Sequence, residues 1–331
     1  MISSLANKIN ESAYHTEESD RQDLVAAKVL IRHLLVYRQA CKDRLDSGNY
    51  VPALIGGRSD RDALITFDEP THIYRIEGQK TNGSVTGLVH KFFSKFDTYL
   101  IASLVVKKKT LFTDPESAHY AELLKDLDLS DPADKKKGIK MIQDYWSSTN
   151  GEQARLGTVM HKSIEDYYIS GRTQLDNTYE FNLFLDFDRT VIESGYLPYR
   201  TEQIVFCPDC LLAGSVDMMF IHKDNVNDAV KKIWLVDWKR SKEIKSEGYK
   251  RACGTGPLSE KQDCNLEQYS LQLRIYCYLL EKYYELKIVR MTIAVFHPNN
   301  SKYMLYEVEH DKKMARKVIA IQKADTLSKQ S

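Results

Sequence analysis

The sequence predicts an α/β fold, a mixed central β-sheet flanked by helices, behind a mainly helical N-terminal region. Three observations lead there. Short apolar runs with strand character fall at 199–206, 211–221, 232–239 and 288–297, bracketed by segments of helical spacing at 152–170, 178–194 and 266–285. Hydrophobic residues make up 43% of a 331-residue chain, enough to bury the core of one large domain or two small ones. No run approaches the ~20 consecutive apolar residues of a membrane helix.

In chain order, residues 1–47 read as helical, with apolar positions Leu24, Val25, Val29, Leu30, Leu34 and Leu35. Pro52, Gly56 and Gly57 mark residues 49–60 as a linker. A strand pair follows, Leu64–Phe67 and His72–Ile76, turning at Asp68-Glu69-Pro70. Ser84-Val85-Thr86 leads into a helix running through Phe92, Phe93 and Phe96. The runs Lys107-Lys108-Lys109 and Lys135-Lys136-Lys137 lie in a polar, helical region and serve as solvated faces or as DNA contacts. The core is expected to start near Asn150-Gly151 and to end with a strand at Met304–Val308 and a helix at Lys312–Leu327. This divides the chain into a helical segment with its linker (1–60), an accessory region of hairpin and helices (61–150) and a core (151–331).

The chemistry concentrates in the core. Ile233-Trp234-Leu235-Val236-Asp237-Trp238-Lys239 is an apolar strand running into an acid and, two residues on, a lysine. Residues two apart on a strand project to one side, so Asp237 and Lys239 emerge together. Upstream, Gly214-Ser215-Val216-Asp217-Met218-Met219-Phe220 carries one acid among apolar neighbours. A carboxylate near a core costs several kcal/mol unless it is paired or holds a metal, so Asp217 and Asp237 are read as metal ligands. Hard oxygen donors suit Mg²⁺, with Mn²⁺ as a substitute. On the helix containing Leu156, Val159, Met160, Ile164, Tyr167 and Tyr168, His161 and Glu165 lie four apart and share a face. Glu202 points either into the same cleft or to solvent. Downstream, Gln268, Gln272 and Tyr276 form a polar row beside Leu271, Ile275 and Leu279.

This order of elements resembles the PD-(D/E)XK nuclease superfamily, in particular its RecB-like exonuclease branch. That branch includes the mitochondrial genome maintenance exonucleases and the CRISPR-associated four-cysteine nucleases. The pattern of a helical His, Gly-x-x-Asp on a strand, Asp-x-Lys on the next and Gln-x-x-x-Tyr on a helix is met by His161, by Gly214 with Asp217, by Asp237 with Lys239, and by Gln272 with Tyr276. The resemblance spans roughly residues 150–300 and implies a restriction-endonuclease-like core and a Mg²⁺-dependent deoxyribonuclease acting at DNA ends in replication, recombination or repair. It implies that His161 and the backbone carbonyl of Trp238 complete the metal site and that Lys239 orients or helps deprotonate the attacking water. Gln272 and Tyr276 would support the site and touch the DNA backbone. Glu165 would hold a bound water or pair with a lysine. Single-stranded DNA or DNA with free ends is the implied substrate, and replication or recombination proteins the implied partner class. A structure-specific endonuclease and a non-catalytic DNA-binding scaffold are the alternatives.

Two features depart from the pattern. The polar stretch His222–Asp228 lengthens the connection between the two acidic strands. Iron–sulfur members carry three cysteines near the C-terminus, whereas the last cysteine here is Cys277, so no cluster is expected. Cys207-Pro208-Asp209-Cys210 suits a hairpin turn better than a zinc site, since Cys253 and Cys264 are awkwardly spaced as further ligands.

Net charge is only +1, but Lys231–Arg251 holds eight basic residues, Arg240 and Lys242 among them, against three acids. That local excess would attract a phosphate backbone. Six irregularly spaced cysteines are expected to be reduced thiols in an intracellular setting, and the acid-bearing start Met1–Asp20 reads as neither a secretory signal nor a transit peptide. No phosphate-binding Gly-x-x-x-x-Gly-Lys-Ser/Thr occurs, which excludes a P-loop motor.

Overall fold

A computed structural model describes residues 54–57, 59–107, 118–170 and 178–330. The expected N-terminal helix, and Lys108 and Lys109, lie outside the described residues. The fold is mixed α/β, with helices flanking a six-stranded sheet that contains parallel and antiparallel pairs. Among the described residues no helix is long and apolar enough to cross a membrane.

The chain opens with a three-stranded antiparallel sheet, β1 (Ile65–Asp68), β2 (Ile73–Ile76) and β3 (Gln79–Lys80). Gly83–Ser84 (β4) joins the main sheet, and the Ser84 hydroxyl then caps α1 (Val85–His90) by accepting from the Gly87 N–H at 3.0 Å. The helix ends there, short of the expected run, with Phe92 and Phe93 buried beyond it and Phe96 exposed. Helices α2 (Thr98–Lys107), α3 (Ala118–Leu123) and α4 (Pro132–Ser170) follow, then α5 (Tyr179–Glu193). Next come β5 (Tyr196–Cys207), β6 (Leu212–His222), β7 (Lys232–Lys239), α6 (Asn265–Tyr283), β8 (Lys287–Val295), β9 (Met304–Glu307) and α7 (Lys312–Gln330).

The chain forms two compact units, one running to Phe92 and resuming at Met160, the other Phe93–Val159. The sequence boundaries at 60 and 150 divide it differently. The first hairpin goes with the larger unit because Ile65, Tyr74 and Ile76 bury against Phe206, Leu211 and Ala213. Helix α4 begins at Pro132, well before the expected 152, and runs through Gly151. A glycine in a helix interior costs about 1 kcal/mol and does not by itself end the helix. The smaller unit has its own core of Ala102, Val106, Leu124, Ile139 and Ile142.

In the larger unit β6 is the organising strand. Its whole length pairs antiparallel with β5 along one edge. Along the other edge, β4 takes Leu212 and Ala213, and β7 takes Met218–Ile221. The sheet is therefore open beside residues 214–217. Met218, Phe220, Trp234, Val236 and Trp238 bury on one face against Met160, Ile164, Phe184 and Phe187 of α4 and α5. The alternating residues Asp217, Asp237 and Lys239 project to the opposite face, where Tyr269 of α6 meets Lys239.

Candidate active site

The site lies at that opening. In the antiparallel register of β5 and β6, Thr201 opposes Met218 and Gln203 opposes Val216, so Glu202 and Asp217 face one another with their own ladder pair missing. The ladder of β6 and β7 ends at Met218–Val236, one step before Asp217 would oppose Asp237. Three acids therefore stand at one level of three neighbouring strands. Like charges directly opposite on a sheet destabilise it. Glu202 also has φ +46°, a left-handed backbone that a β-strand residue rarely takes and that costs of order 1–3 kcal/mol. Its carboxylate is held by the Ser215 hydroxyl, which donates at 2.8 Å, and the Thr201 hydroxyl donates to the Asp217 carbonyl at 2.9 Å.

The buried stripe Met160, Ile164, Tyr167 and Tyr168 anchors α4, the two tyrosines donating to the buried Asp188 at 2.8 and 2.9 Å. That anchoring brings His161 to the acids. His161 Nε2 lies 3.1 Å from the Trp238 carbonyl, while Nδ1 lies 3.7 Å from Asp217 Oδ2 and 3.8 Å from Glu202 Oε1. With Nε2 donating to the carbonyl, the Nδ1 lone pair faces two carboxylates, an arrangement that needs a proton or a cation between them. Burial opposes the charged imidazolium, but the Asp217 and Glu202 charges outweigh it and hold the His161 pKa above its ordinary value. Ligand atoms of His161, Glu202 and Asp217 all lie within 4.8 Å of one another.

Asp217 accepts from the Trp238 N–H at 2.7 Å, tying β6 to β7 where their ladder stops. Burial keeps its carboxyl above the usual range despite His161 and Lys239 nearby. Asp237 is 2% exposed, and burial pushes its pKa up to about 6. Lys239 Nζ stands 2.6 Å from Asp237 Oδ2 as an ion pair, yet neither carboxylate oxygen takes a well-angled hydrogen bond. Burial disfavours the Lys239 ammonium, but Asp237 and Asp217 more than compensate and hold its pKa above the ordinary lysine value. At neutral pH Lys239 is a cation and a donor, with the Tyr269 ring centre 4.8 Å from its nitrogen.

Helix α6 supplies the floor. Gln272 donates to the Tyr276 hydroxyl at 3.2 Å. A Cβ placed on Gly214 would fall 2.9 Å from that hydroxyl and 3.1 Å from the Val85 Cβ, so glycine is what lets β6 approach α6. Gly214→Ala is expected to destabilise the fold by about 1–3 kcal/mol through overpacking, measured by urea denaturation; an unchanged midpoint would refute the close approach.

Of the other residues read from the sequence, Glu165 pairs with Lys162 at 2.9 Å, one turn from His161. Arg240 is spent on Glu180, 2.9 Å away, with a side chain only 7% exposed, whereas Lys242 is exposed. The Trp238 carbonyl is engaged by His161. Cys207–Cys210 forms the turn between β5 and β6, a short 3₁₀ segment closed by Leu211 at φ +44°. Sequence reasoning leaves Glu202 undecided and does not single out Tyr269. Tyr269 is legible in principle, since it shares the face of Gln272 and Tyr276 at i, i+3 and i+7. A cleft of about 490 Å³ reaches Glu202 from the side of Asp62, Arg200 and Gln203, but Arg200 and Gln203 both bond Asp62 there, so the reactive groups converge elsewhere.

The donors fit a hard divalent cation. Asp237 is buried with an oxygen beside the Lys239 ammonium and neither oxygen in a well-angled hydrogen bond, and Asp217, Glu202 and the His161 Nδ1 surround one point with acceptors. Glu202→Gln is expected to weaken Mn²⁺ binding by roughly tenfold, within the 10–100-fold range typical of residues that tune a metal site; calorimetry giving the wild-type affinity would remove Glu202 from the ligand set.

No known family model matches the chain, and no curated protein matches it. Among solved structures, the chain is similar to one described as "Crystal structure of SSO0001", with 13% identity over 71% of this chain and 87% of that one and a TM-score of 0.24. A likeness of that degree carries no argument about what this chain does.

Proposed function

We propose that the chain is a Mg²⁺-dependent deoxyribonuclease that hydrolyses phosphodiester bonds at DNA ends. One observation carries the reading: Glu202, Asp217 and Asp237 stand level on three strands, Glu202 on strained backbone, with the His161 Nδ1 turned toward Glu202 and Asp217 and Lys239 paired with Asp237. The hydrogen bonds these acids accept from Trp238 and Ser215 do not require three acids to meet at a break in the sheet. Opposed acids that destabilise the bare fold are the expected cost of a cation site.

A divalent cation bound there would neutralise the scissile phosphate and make a bound water more acidic. The chain's own groups do the rest. His161 and the acids fix the position of the ligand atoms. Lys239, charged and buried against Asp237, aims an N–H donor at the charge that develops on the phosphate. The Asp217–Trp238 hydrogen bond holds β6 and β7 in place as the strands part. Tyr276 and Gln272 close the floor beneath Gly214.

The test is digestion of end-labelled linear DNA beside a closed circular single strand, with Mg²⁺ or Mn²⁺. Loss of the linear substrate alone supports an exonuclease. Cutting of the circle as well moves the reading to an endonuclease. Binding of DNA with no cutting under either metal overturns the enzymatic reading.

A further inference from the structure

The connection between β7 and α6 runs over residues 240–264, from the end of the Asp237–Lys239 strand to the helix that carries Tyr269. A connection of that length, holding no more than the short 3₁₀ segments Tyr249–Arg251 and Gly256–Leu258 and an isolated bridge, is long for a compact domain and tends to be functional. It is also tightly built. The Lys245 N–H donates to the Asn265 side chain at 2.7 Å, and the Asn265 amide donates to the Glu243 carbonyl at 2.9 Å. The Gly248 N–H donates to Gln262 at 3.1 Å, the Asp263 N–H to the Ala252 carbonyl at 2.8 Å, and the Gly254 N–H to the Lys261 carbonyl at 2.9 Å. A Cβ on Gly248 would clash with the Ala252 carbonyl oxygen, so the two limbs close tightly enough there to require glycine.

Above that clamp sits Tyr249-Lys250-Arg251. Lys250 and Arg251 are successive non-glycine residues in the left-handed region, at φ +53° and +58°. Their turn is closed by the Arg251 N–H donating to the Gly248 carbonyl at 2.9 Å and the Ala252 N–H to the Tyr249 carbonyl at 3.1 Å. Tyr249 is 75% exposed, the most exposed of the large hydrophobic side chains among the described residues. Lys250 Nζ is 5.4 Å from the Tyr249 ring centre, and Lys242, Lys245, Lys250 and Arg251 are all exposed. The Tyr249 ring thus stands out in solvent immediately before two strained residues.

We propose that Tyr249-Lys250-Arg251 is a rigid stacking finger that takes an unpaired base of a single-stranded polynucleotide on the Tyr249 ring, with the cations on the flanking phosphates. An exposed aromatic among basic residues is what a single strand needs, because every base has a face to stack while the backbone supplies uniform negative charge. A duplex hides its base faces. The finger is close to the site. Lys245 is pinned to the first turn of α6, one turn from Tyr269, and the four residues from Lys245 to Tyr249 span at most ~14 Å. The proposal rests on the nuclease reading for its biological setting, but the binding it describes needs no hydrolysis.

The experiment is fluorescence anisotropy with the full chain in EDTA, using a labelled single-stranded oligonucleotide and the matching duplex, for wild type, Tyr249→Ala, Tyr249→Phe and Lys250→Gln. Tyr249→Ala is expected to weaken single-strand binding about tenfold, with Tyr249→Phe within about twofold of wild type and duplex binding unchanged on the same scale. Lys250→Gln is expected to lower the salt dependence by about 0.7 in log–log slope. Equal losses on single strand and duplex, or Tyr249→Ala binding like wild type, would overturn the finger, as would failure of the wild type to bind the single strand. Because no metal is present, an inactive enzyme that shows the Tyr249 pattern leaves this inference standing and refutes only the nuclease reading.

Discussion

Asp217→Asn is expected to abolish metal-dependent hydrolysis, by at least about 10³-fold, while leaving the metal-free protein at least as heat-stable as the wild type. The two halves of the result have one cause. Asp217 is buried level with Glu202 on one neighbouring strand and Asp237 on the other, and its carboxyl is held above the usual range chiefly by burial. An ionised carboxylate under those conditions destabilises the native state. Asparagine removes the charge and retains an oxygen that can accept from the Trp238 N–H. Added Mg²⁺ or Mn²⁺ is expected to raise the melting temperature of the wild type, since a cation held only by the native state stabilises by about 2.7 kcal/mol at a hundred times its dissociation constant. The variant should lose most of that gain. Thermal denaturation with and without metal measures both. A variant clearly less stable without metal would make Asp217 a structural residue, and an equal response to metal would place the cation elsewhere.

Lys239→Ala is expected to lower kcat by about 10²–10³-fold and to change the Mg²⁺ concentration needed for half-maximal rate much less. Lys239 is not among the oxygen and imidazole donors, and its raised pKa keeps it cationic at neutral pH. On the proposed reading it would contribute as a donor toward charge that develops during reaction, which is felt in turnover. Its removal also leaves the buried Asp237 without its ion-pair partner, so some loss of metal-free stability accompanies it. A Mg²⁺ titration of initial rates separates the effects. A variant restored to wild-type rate by excess Mg²⁺ would make Lys239 a metal-site residue rather than a donor to the substrate.

The main strands are legible in the sequence because their apolar runs are long and end in turn chemistry. The 232–239 strand is observed as Lys232–Lys239, and 211–221 as Leu212–His222. Helices are legible at their buried ends and not at their polar ones. The half of α4 before 152 opens with Lys135-Lys136-Lys137 and Gly138, and its short stripe of Ile139, Ile142 and Trp146 serves the smaller unit's core rather than the sheet. At the site, the alternation rule places Asp237 and Lys239 on one side correctly, because it depends only on strand geometry. It cannot decide Glu202, whose direction follows from a left-handed φ and a missing ladder pair. Nor can local sequence show that Arg240 finds Glu180, sixty residues earlier in the chain. The basic stretch around Lys239 reads in the sequence as one surface, but only part of it is free to meet a phosphate.

The central claim is that these groups gather a cation in order to cut DNA. The most direct measurement is the release of label from end-labelled linear DNA by wild type and Asp217→Asn, purified side by side, in Mg²⁺ and in EDTA. The account predicts release by the wild type in Mg²⁺ and none in the other three reactions. Release in EDTA, or equal release by the Asp217→Asn variant, would contradict it.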